Sequence, residues 1–310
     1  MAELSKEKFQ IIGCDNLDAE GILRPSMTYW QDAWRRLKTN KVAIASMILL
    51  LIMCIMVVIG PFLTGYNYDE MVGALNQGPS SAHWFGTDSL GRDLFTRIWV
   101  GGRISIIIGL VGALIDTVVG TIYGGISGYK GGFVDDIMMR IVEILGSIPY
   151  LVLVILIRCI IPGGKSTMAN IGPLVLAMTI TGWTYMARLV RGQILQIKEQ
   201  EYVLAAKALG ANSSRIIAKH LVPNTLGVMI VAITFDIPGF IFSEAFLSFL
   251  GLGVKSPMTS WGALASAGQQ NMMFYPYQLI FPALAISIVM LSFQLFGDGL
   301  RDALDPKLRQ

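Results

Sequence analysis

Long apolar runs constrain the fold of this chain more than any other feature of its sequence. A helix needs about 20 mostly apolar residues to cross the hydrocarbon core of a membrane. Charged residues make up only 15% of the 310 residues, against about 25% in soluble domains. Six segments meet or approach the required length, near residues 42–63, 104–126, 141–161, 171–186, 226–250 and 279–296. The sequence therefore predicts an all-α, polytopic membrane protein with six transmembrane helices.

The distribution of Lys and Arg indicates which way the spans run. Loops rich in these residues stay on the cytoplasmic side of a membrane. When the N-terminus is placed inside, most of the 24 Lys and Arg residues fall in inner segments, and the basic stretch WRRLKTNK precedes the first span directly. We therefore expect both termini in the cytoplasm, outer segments at 64–102 and 251–277, and an inner segment at 187–224.

These features divide the chain into three parts. Residues 1–40 are expected to form a cytoplasmic N-terminal tail with an amphipathic, basic segment, because the first residues lack the apolar core of a signal peptide. Residues 41–298 hold the six spans, and residues 299–310 form a cytoplasmic C-terminal tail. The three cysteines match no metal or redox spacing and are interpreted as unpaired thiols.

One inner insert, at 199–224, is polar and helix-prone although apolar spans flank it. Residues 199–209 are good helix formers, and Gly210 stands where a left-handed cap would end that helix. Ser213 or Ser214 can cap a second short helix, RIIAKHLV. The pattern predicts two short helices at the membrane face.

The first of these helices has a surface with little side-chain bulk, formed by Ala205, Ala206 and Ala208. Small residues let another protein approach closely, so we expect this surface to bind a partner. Pro223 is then expected to end the turn before the fifth span. The alternative is a surface loop that only links two spans, but linkers are seldom so rich in alanine.

The insert resembles the EAA loop of permease subunits in binding-protein-dependent ABC importers, which reads E-A-A, three residues, G, nine residues, then I-x-L-P. Ala205, Ala206, Gly210 and Pro223 fall in register with that loop. Three positions depart from it, namely Leu204, His220 and Val222. The departures fit the peptide-transporting branch, whose loops look like YVxAAxALGAxxxRIIxxHxxPN.

Other stretches resemble the same branch. HWFGTDSLGRDLFTRIWVGGRISIIIGL (83–110) is similar to the segment before the second span of oligopeptide and dipeptide permeases, and SEAFLSFLGLGV (243–254) is similar to the end of their fifth span. The C-terminal FGDGLRDALDPKLR is also similar to their tail. The resemblance covers the chain from about residue 28 onward and indicates a C-type permease subunit of the oligopeptide/dipeptide/nickel group.

The resemblance implies a type I ABC importer permease fold in a bacterial cytoplasmic membrane. In that family the insert forms coupling helices that dock on ATPase subunits. Transferred by position, the coupling residues are Glu201, Ala205, Ala206, Gly210, Arg215, His220 and Pro223. The implied partners are a homologous B-type permease, two ATPases that bind ATP and Mg, and an extracytoplasmic binding protein that delivers peptide to the outer segments. We expect no cofactor in this chain, no metal and no nucleic acid.

Motifs that suggest catalysis have simpler explanations. PGGKST (162–167) lacks the first glycine of a phosphate-binding loop, since Cys159 stands at that position, and we interpret it as a turn after a span. GTDSLGRD holds Asp88, Arg92 and Asp93, which are expected to form a salt-bridged outer loop. The two histidines cannot build a metal site by themselves. The chain is therefore expected to be non-catalytic, with ATP hydrolysed by its partners.

Carboxylates at membrane depth are costly, so each should face a cavity or a polar partner. The candidates are Asp116, Asp236 and Glu244. Pro238 follows Asp236 closely and indicates a kink in the fifth span. Asp236, Pro238 and Glu244 either line a translocation path or only pack against a partner permease, and the sequence leaves both interpretations open.

Two other functions remain alternatives. An importer of nickel or another small solute could share this architecture, although no row of His or Cys follows any span. An ion-coupled secondary transporter is a further alternative, but such proteins often show inverted repeats with paired broken helices, and this sequence shows no such pairing.

Overall fold

The computed structural model describes residues 28–161, 163–164 and 166–305. Within these residues the chain is helical, and only isolated backbone bridges such as Thr87–Asp93 occur instead of strands. The helices are α1 (Tyr29–Thr39), α2 (Lys41–Leu63), α3 (Leu94–Lys130), α4 (Gly132–Ser147), α5 (Tyr150–Ile160), α6 (Thr167–Ile197), α7 (Glu201–Ala208), α8 (Ser213–Ile216), α9 (Val222–Phe249), α10 (Trp261–Gln270) and α11 (Tyr277–Leu304). A π turn (Ile217–Leu221) joins α8 to α9.

Four helical stretches in the described part are long and apolar enough to cross a membrane. They are α2, α3, the continuous stretch 213–249 and α11. The pair α4 and α5 provides a fifth if it is one broken span. Helix α6 contains the predicted fourth span and has 31 residues, but it is less apolar than the other four. The all-α membrane fold is thus confirmed, and six spans are compatible with it.

The predicted third span, near 141–161, is not one straight helix. Helices α4 and α5 meet at an angle of 81°. The break falls at Ile148, whose backbone is extended, directly before Pro149. A proline disfavours helical backbone at the residue before it, so the helix ends there.

Helix α3 lies at the centre of the bundle and packs closely on α6. Gly120, Gly124 and Gly128 recur at every fourth position and face α6, where a Cβ atom at Gly124 would overlap the carbonyl oxygen of Ala187. Small residues at this spacing let two helix backbones approach in a membrane. Nearer the N-terminus of α3, Ile108 lies in the main apolar core with residues of α9, α10 and α11.

The bundle has two distinct ends. One end carries α7 and the C-terminus of α3, and we name it the α7 end. The opposite end carries the segment 64–93 and α10, which packs against the start of α3 where Gly101 contacts Ser260, and we name it the α10 end.

Helix α1 lies against α11 at the α7 end. Ala33 and Leu37 are buried, and the Tyr29 hydroxyl donates to the carbonyl oxygen of Leu304 at 3.0 Å. Helix α11 continues to Leu304, so the first residues of the tail predicted at 299–310 are helical. The rest of both predicted tails, 1–27 and 306–310, lies outside the described residues.

Candidate functional site

Helix α7 is short and attaches to the bundle mainly through one apolar side chain. Val203 is 2% exposed and lies in an apolar cluster that joins α6, the π turn and α9 and includes Ile194 and Leu221. The alanines expected to face a partner lie elsewhere on the helix: Ala205 is exposed and Ala206 is half-buried. Helix α7 therefore presents a surface of small residues outside the bundle.

Larger apolar side chains are also exposed around α7. Leu209 is 89% exposed, and Tyr202 and Leu204 are roughly half exposed. They stand beside the exposed charged residues Glu201 and Lys207. An exposed apolar patch rimmed by polar residues is typical of a contact surface for another protein.

The turn after α7 has the predicted glycine but a different cap. Gly210 has a φ of 81°, which confirms the expected left-handed conformation. The cap of α8 is Asn212, whose Oδ1 accepts from the backbone N–H of Arg215 at 2.8 Å. The prediction of Ser213 or Ser214 as the cap was therefore wrong, because both residues are already inside α8.

The second short helix is not a separate element. Helix α8, the π turn and α9 form one continuous helical stretch, with Arg215 exposed and His220 half-buried along its start. Pro223, expected to end the turn before the fifth span, lies in the first turn of α9. An ordinary α turn would press the proline ring against the carbonyl group four residues earlier, and the wider π turn relieves that clash.

A partly buried ion pair joins three helices at the α7 end, and sequence reasoning missed it. Arg191 on α6 donates through Nε and Nη2 to the two carboxylate oxygens of Asp135 on α4, both at 2.6 Å. The Ser127 hydroxyl of α3 donates to the same carboxylate. This bidentate pair fixes α3, α4 and α6 to one another at the α7 end. The glycine pair at 131–132, which starts α4 and brings Asp135 into its first turn, was the available signal.

The residues proposed for the fifth span lie on α9. This helix runs from Val222 to Phe249 without a break at Pro238, and Asp236 is half-buried. Proline removes one backbone donor from the helix, so the local hydrogen bonding is weakened there. The place of Asp236 and Pro238 beside a translocation path stays a prediction.

Glu244 is fully buried and its partners belong to this chain. Its carboxylate accepts hydrogen bonds from the hydroxyl groups of Ser105 at 3.2 Å, Ser248 at 2.7 Å and Ser260 at 2.6 Å. Ser260 also caps α10 by accepting from the N–H of Ala263. Glu244 therefore joins α3, α9 and α10, which favours the packing interpretation, with partners inside one chain.

Asp116 on α3 is a further buried carboxylate among the candidates at membrane depth. It is 3% exposed, and its Oδ1 has no hydrogen-bond partner within the described residues. A Cβ atom at Gly182 of α6 would overlap this carboxylate, so only glycine fits opposite Asp116.

The acidic motif at the α10 end forms the expected salt bridge. Asp88 Oδ2 lies 2.8 Å from Arg92 Nη2. Asp93 caps α3 by accepting from the N–H of Thr96 at 2.8 Å, and it also contacts His83 at 2.9 Å. Among the described residues, no group of three His, Cys, Asp or Glu side chains could hold a metal ion.

A bundle of apolar helices of membrane-crossing length, with a short exposed helix set between two of them, defines a polytopic membrane permease. Residues 120–310 match the family model described as binding-protein-dependent transport system inner membrane component. Residues 28–79 match the model of the N-terminal TM domain of oligopeptide transport permease C. The chain belongs to this permease family. It is therefore a transport permease subunit of an ABC importer and not an enzyme.

Relatives in the family align along nearly the whole chain. The dipeptide transport system permease protein DppC of Bacillus subtilis is 52% identical over 95% of this chain and 91% of its own length. The oligopeptide transport system permease protein OppC of the same organism is 48% identical over 100% of both chains. The Escherichia coli OppC is 44% identical over 95% of both.

A solved structure supports the fold. The inward-facing MetNI methionine ABC transporter aligns with a TM-score of 0.51 and 19% identity, over 68% of this chain and 96% of the matched chain. At this identity the likeness concerns the fold alone.

Proposed function

We propose that this chain is the C-type permease subunit of an ATP-driven importer of oligopeptides or dipeptides. It forms the pore with a homologous B-type permease in a bacterial cytoplasmic membrane, with both termini in the cytoplasm. Two ATPase subunits, which bind ATP and Mg, dock at the 199–224 insert. An extracytoplasmic binding protein delivers peptide at the α10 end. The full-length match to permeases named for dipeptides and oligopeptides supports the substrate class.

The observation that carries the ATPase contact is the exposed surface of α7. Its alanines and the apolar side chains around them project from the bundle with little of the chain packed over them. The proposed contact residues are Glu201, Ala205, Ala206, Gly210, Arg215, His220 and Pro223. ATP hydrolysis on the partner subunits supplies the energy, and this chain supplies the surface that receives the force.

The apolar cluster below α7 gives that force a path into the membrane. Val203 contacts a cluster whose other members lie on α6, α8, the π turn and α9. Because packed side chains cannot be compressed, a displacement of α7 must move the helices that share this cluster. Helix α9 carries Asp236 and Pro238, so we place the translocation path beside its middle. Glu244 holds the far end of the same helix to α3 and α10.

A charged side chain at Ala205 tests the docking surface. Ala205 is exposed, so Ala205→Arg leaves the packing of this chain intact, whereas Ala206 is half-buried. We expect Ala205→Arg to abolish co-purification of the ATPases, because the docked complex would bury an unpaired charge at a cost of several kcal/mol. The measurement is the amount of ATPase retained on the tagged permease pair.

The matched control is Ala74→Arg, an exposed alanine at the α10 end. It should retain the ATPases as the unmodified chain does. ATPase retention by Ala205→Arg at the level of this control would show that α7 is only a linker.

A further inference from the structure

The α10 end contains a small cavity that the transport scheme does not explain. Its volume is about 190 Å³, and it lies between the start of α3, the loop before α10 and α10 itself. Asp88, Arg92, Arg97, Met258, Thr259 and Leu264 are among the residues that line it. Ligand sites for whole small molecules usually exceed about 300 Å³, so this cavity suits one end group of a larger ligand.

The charges of this cavity do not balance. Asp88 Oδ2 accepts from Nε and Nη2 of Arg92, both at 2.8 Å, and Asp88 Oδ1 accepts from the backbone N–H groups of Leu90 and Arg92. Arg92 thus neutralises Asp88. Arg97 approaches the same carboxylate only to 3.5 Å and is left with a surplus positive charge.

Arg97, in the first turn of α3, is a buried arginine. It is 5% exposed; its Nη1 donates to the carbonyl oxygen of Tyr68 at 2.9 Å, and its Nε has no hydrogen-bond partner within the described residues. Asp69, a further carboxylate within electrostatic range, is exposed to solvent. Arg97 and Arg92 thus share the single Asp88 carboxylate, and one buried positive charge is not balanced by a contacting carboxylate. Such a charge is destabilising, so its retention needs a reason.

A second unpartnered polar group lines the same cavity. Thr259 is 1% exposed, and its Oγ1 also lacks a hydrogen-bond partner in the described part of the chain. Buried hydroxyl groups are nearly always hydrogen-bonded. Arg97 and Thr259 both line this cavity, and each keeps one unpaired donor, a guanidinium N–H and a hydroxyl respectively. A carboxylate accepts hydrogen bonds from both donor types.

We propose that this cavity binds a carboxylate group, which accepts hydrogen bonds from Arg97 and Thr259. The carboxylate comes from one of two sources: the C-terminus of a free peptide, or an Asp or Glu side chain of the docked binding protein. The choice of these sources rests on the proposed function, whereas the unpaired donors do not. In either case the carboxylate binds at the α10 end.

The test compares three variants in the assembled complex of both permeases and the ATPases. Arg97→Gln removes the surplus charge, and Thr259→Val removes the hydroxyl at constant shape. Arg103→Gln is the control, because Arg103 lies on the same end of α3 but donates to the carbonyl oxygens of Val57 and Val58 outside the cavity. The first arm measures binding of trialanine and of trialanine amide, which differ only in the C-terminal charge. The second arm measures the affinity of the complex for peptide-loaded binding protein.

We expect one arm to weaken by about tenfold in Arg97→Gln and by about threefold in Thr259→Val, with Arg103→Gln unchanged. A response to trialanine but not to its amide identifies the peptide terminus, and a response in the second arm alone identifies the binding protein. Thr259→Val should not destabilise the complex, since its hydroxyl has no partner to lose. If Arg97→Gln fails to assemble, Thr259→Val decides alone.

Unchanged affinity in both arms would overturn the inference, as would a lower thermal stability of Thr259→Val in the absence of ligand. Peptide uptake by the unmodified complex is measured beside these arms. Normal peptide uptake together with unchanged affinity in both arms refutes the carboxylate site and leaves the proposed function standing. Failure of the unmodified complex to import peptide refutes the proposed function instead.

Discussion

At the scale of single residues, the buried polar groups show how far sequence reasoning reaches. A glutamate inside an apolar span signals a polar partner, so Glu244 could be singled out from the sequence. Its partners Ser105 and Ser260 are far from it in sequence, and serines are too common to be recognised in advance. Arg158 is a similar case: it is buried and donates to the carbonyl oxygen of Gly253 at 2.9 Å, a contact that only the folded chain reveals.

The contacts of Glu244 predict a graded loss of stability. Glu244→Leu should destabilise the chain by about 3 kcal/mol, because three buried hydroxyl groups lose their acceptor at once. Glu244→Gln keeps one acceptor oxygen and should cost clearly less. The measurement is the thermal denaturation midpoint of the purified complex in detergent.

Glu143→Leu is the control for this pair of variants. Glu143 is exposed at the other end of the bundle, where it pairs with the exposed Arg140, and such surface pairs contribute little. A Glu244→Leu complex as stable as the Glu143→Leu complex would contradict the assigned hydrogen bonds.

At the scale of helices, the sequence predicted the apolar stretches and the glycine turn, but it did not predict how consecutive helices are connected. The sequence placed the apolar stretches and the left-handed turn at Gly210, since both depend on local composition. It did not show that α8 continues into α9, because Pro223 is equally compatible with the start of a separate helix. The bend before Pro149 was not predicted, because apolar composition continues on both sides of it. The exposed alanine surface of α7 was predicted, and its ATPase contact stays a prediction.

Adjacent glycines on α3 test the close packing on α6. At Gly124 a Cβ atom would overlap the carbonyl oxygen of Ala187, whereas at Gly125 it would lie 3.4 Å from Ile217, an ordinary contact. Gly124→Ala should therefore destabilise the chain by about 1 to 3 kcal/mol. Gly125→Ala should be neutral or stabilising by about 0.5 to 1 kcal/mol, because alanine favours helix more than glycine does. The measurement is the thermal denaturation midpoint of each variant. Equal midpoints for the two variants would contradict the α3–α6 contact.

At the scale of the whole molecule, composition and basic loops predicted a membrane protein and its orientation. The class and the family are established by the fold and by the full-length relatives. The orientation is still a proposal, since it depends on the distribution of Lys and Arg alone. The partners cannot be read from one chain, because their surfaces lie outside it.

Cysteine labelling tests the orientation. In a chain whose three native cysteines are replaced by alanine, single cysteines are introduced at Gln269 on α10 and at Ser214 on α8, both exposed. A membrane-impermeant maleimide added to spheroplasts should label Gln269→Cys but not Ser214→Cys, and lysis should make both reactive. Labelling of Ser214→Cys alone before lysis would reverse the assigned orientation.

The central claim is that this chain carries peptide only as part of an ATP-driven complex. Its most direct measurement is uptake of a radiolabelled tripeptide into proteoliposomes that hold both permeases and the ATPases, with ATP enclosed and the binding protein outside. We predict accumulation of peptide that requires ATP and the binding protein and that stops when the ATPases are replaced by hydrolysis-deficient variants. Uptake that proceeds without ATPases under an imposed ion gradient, or no peptide uptake by the complete complex, would contradict the account.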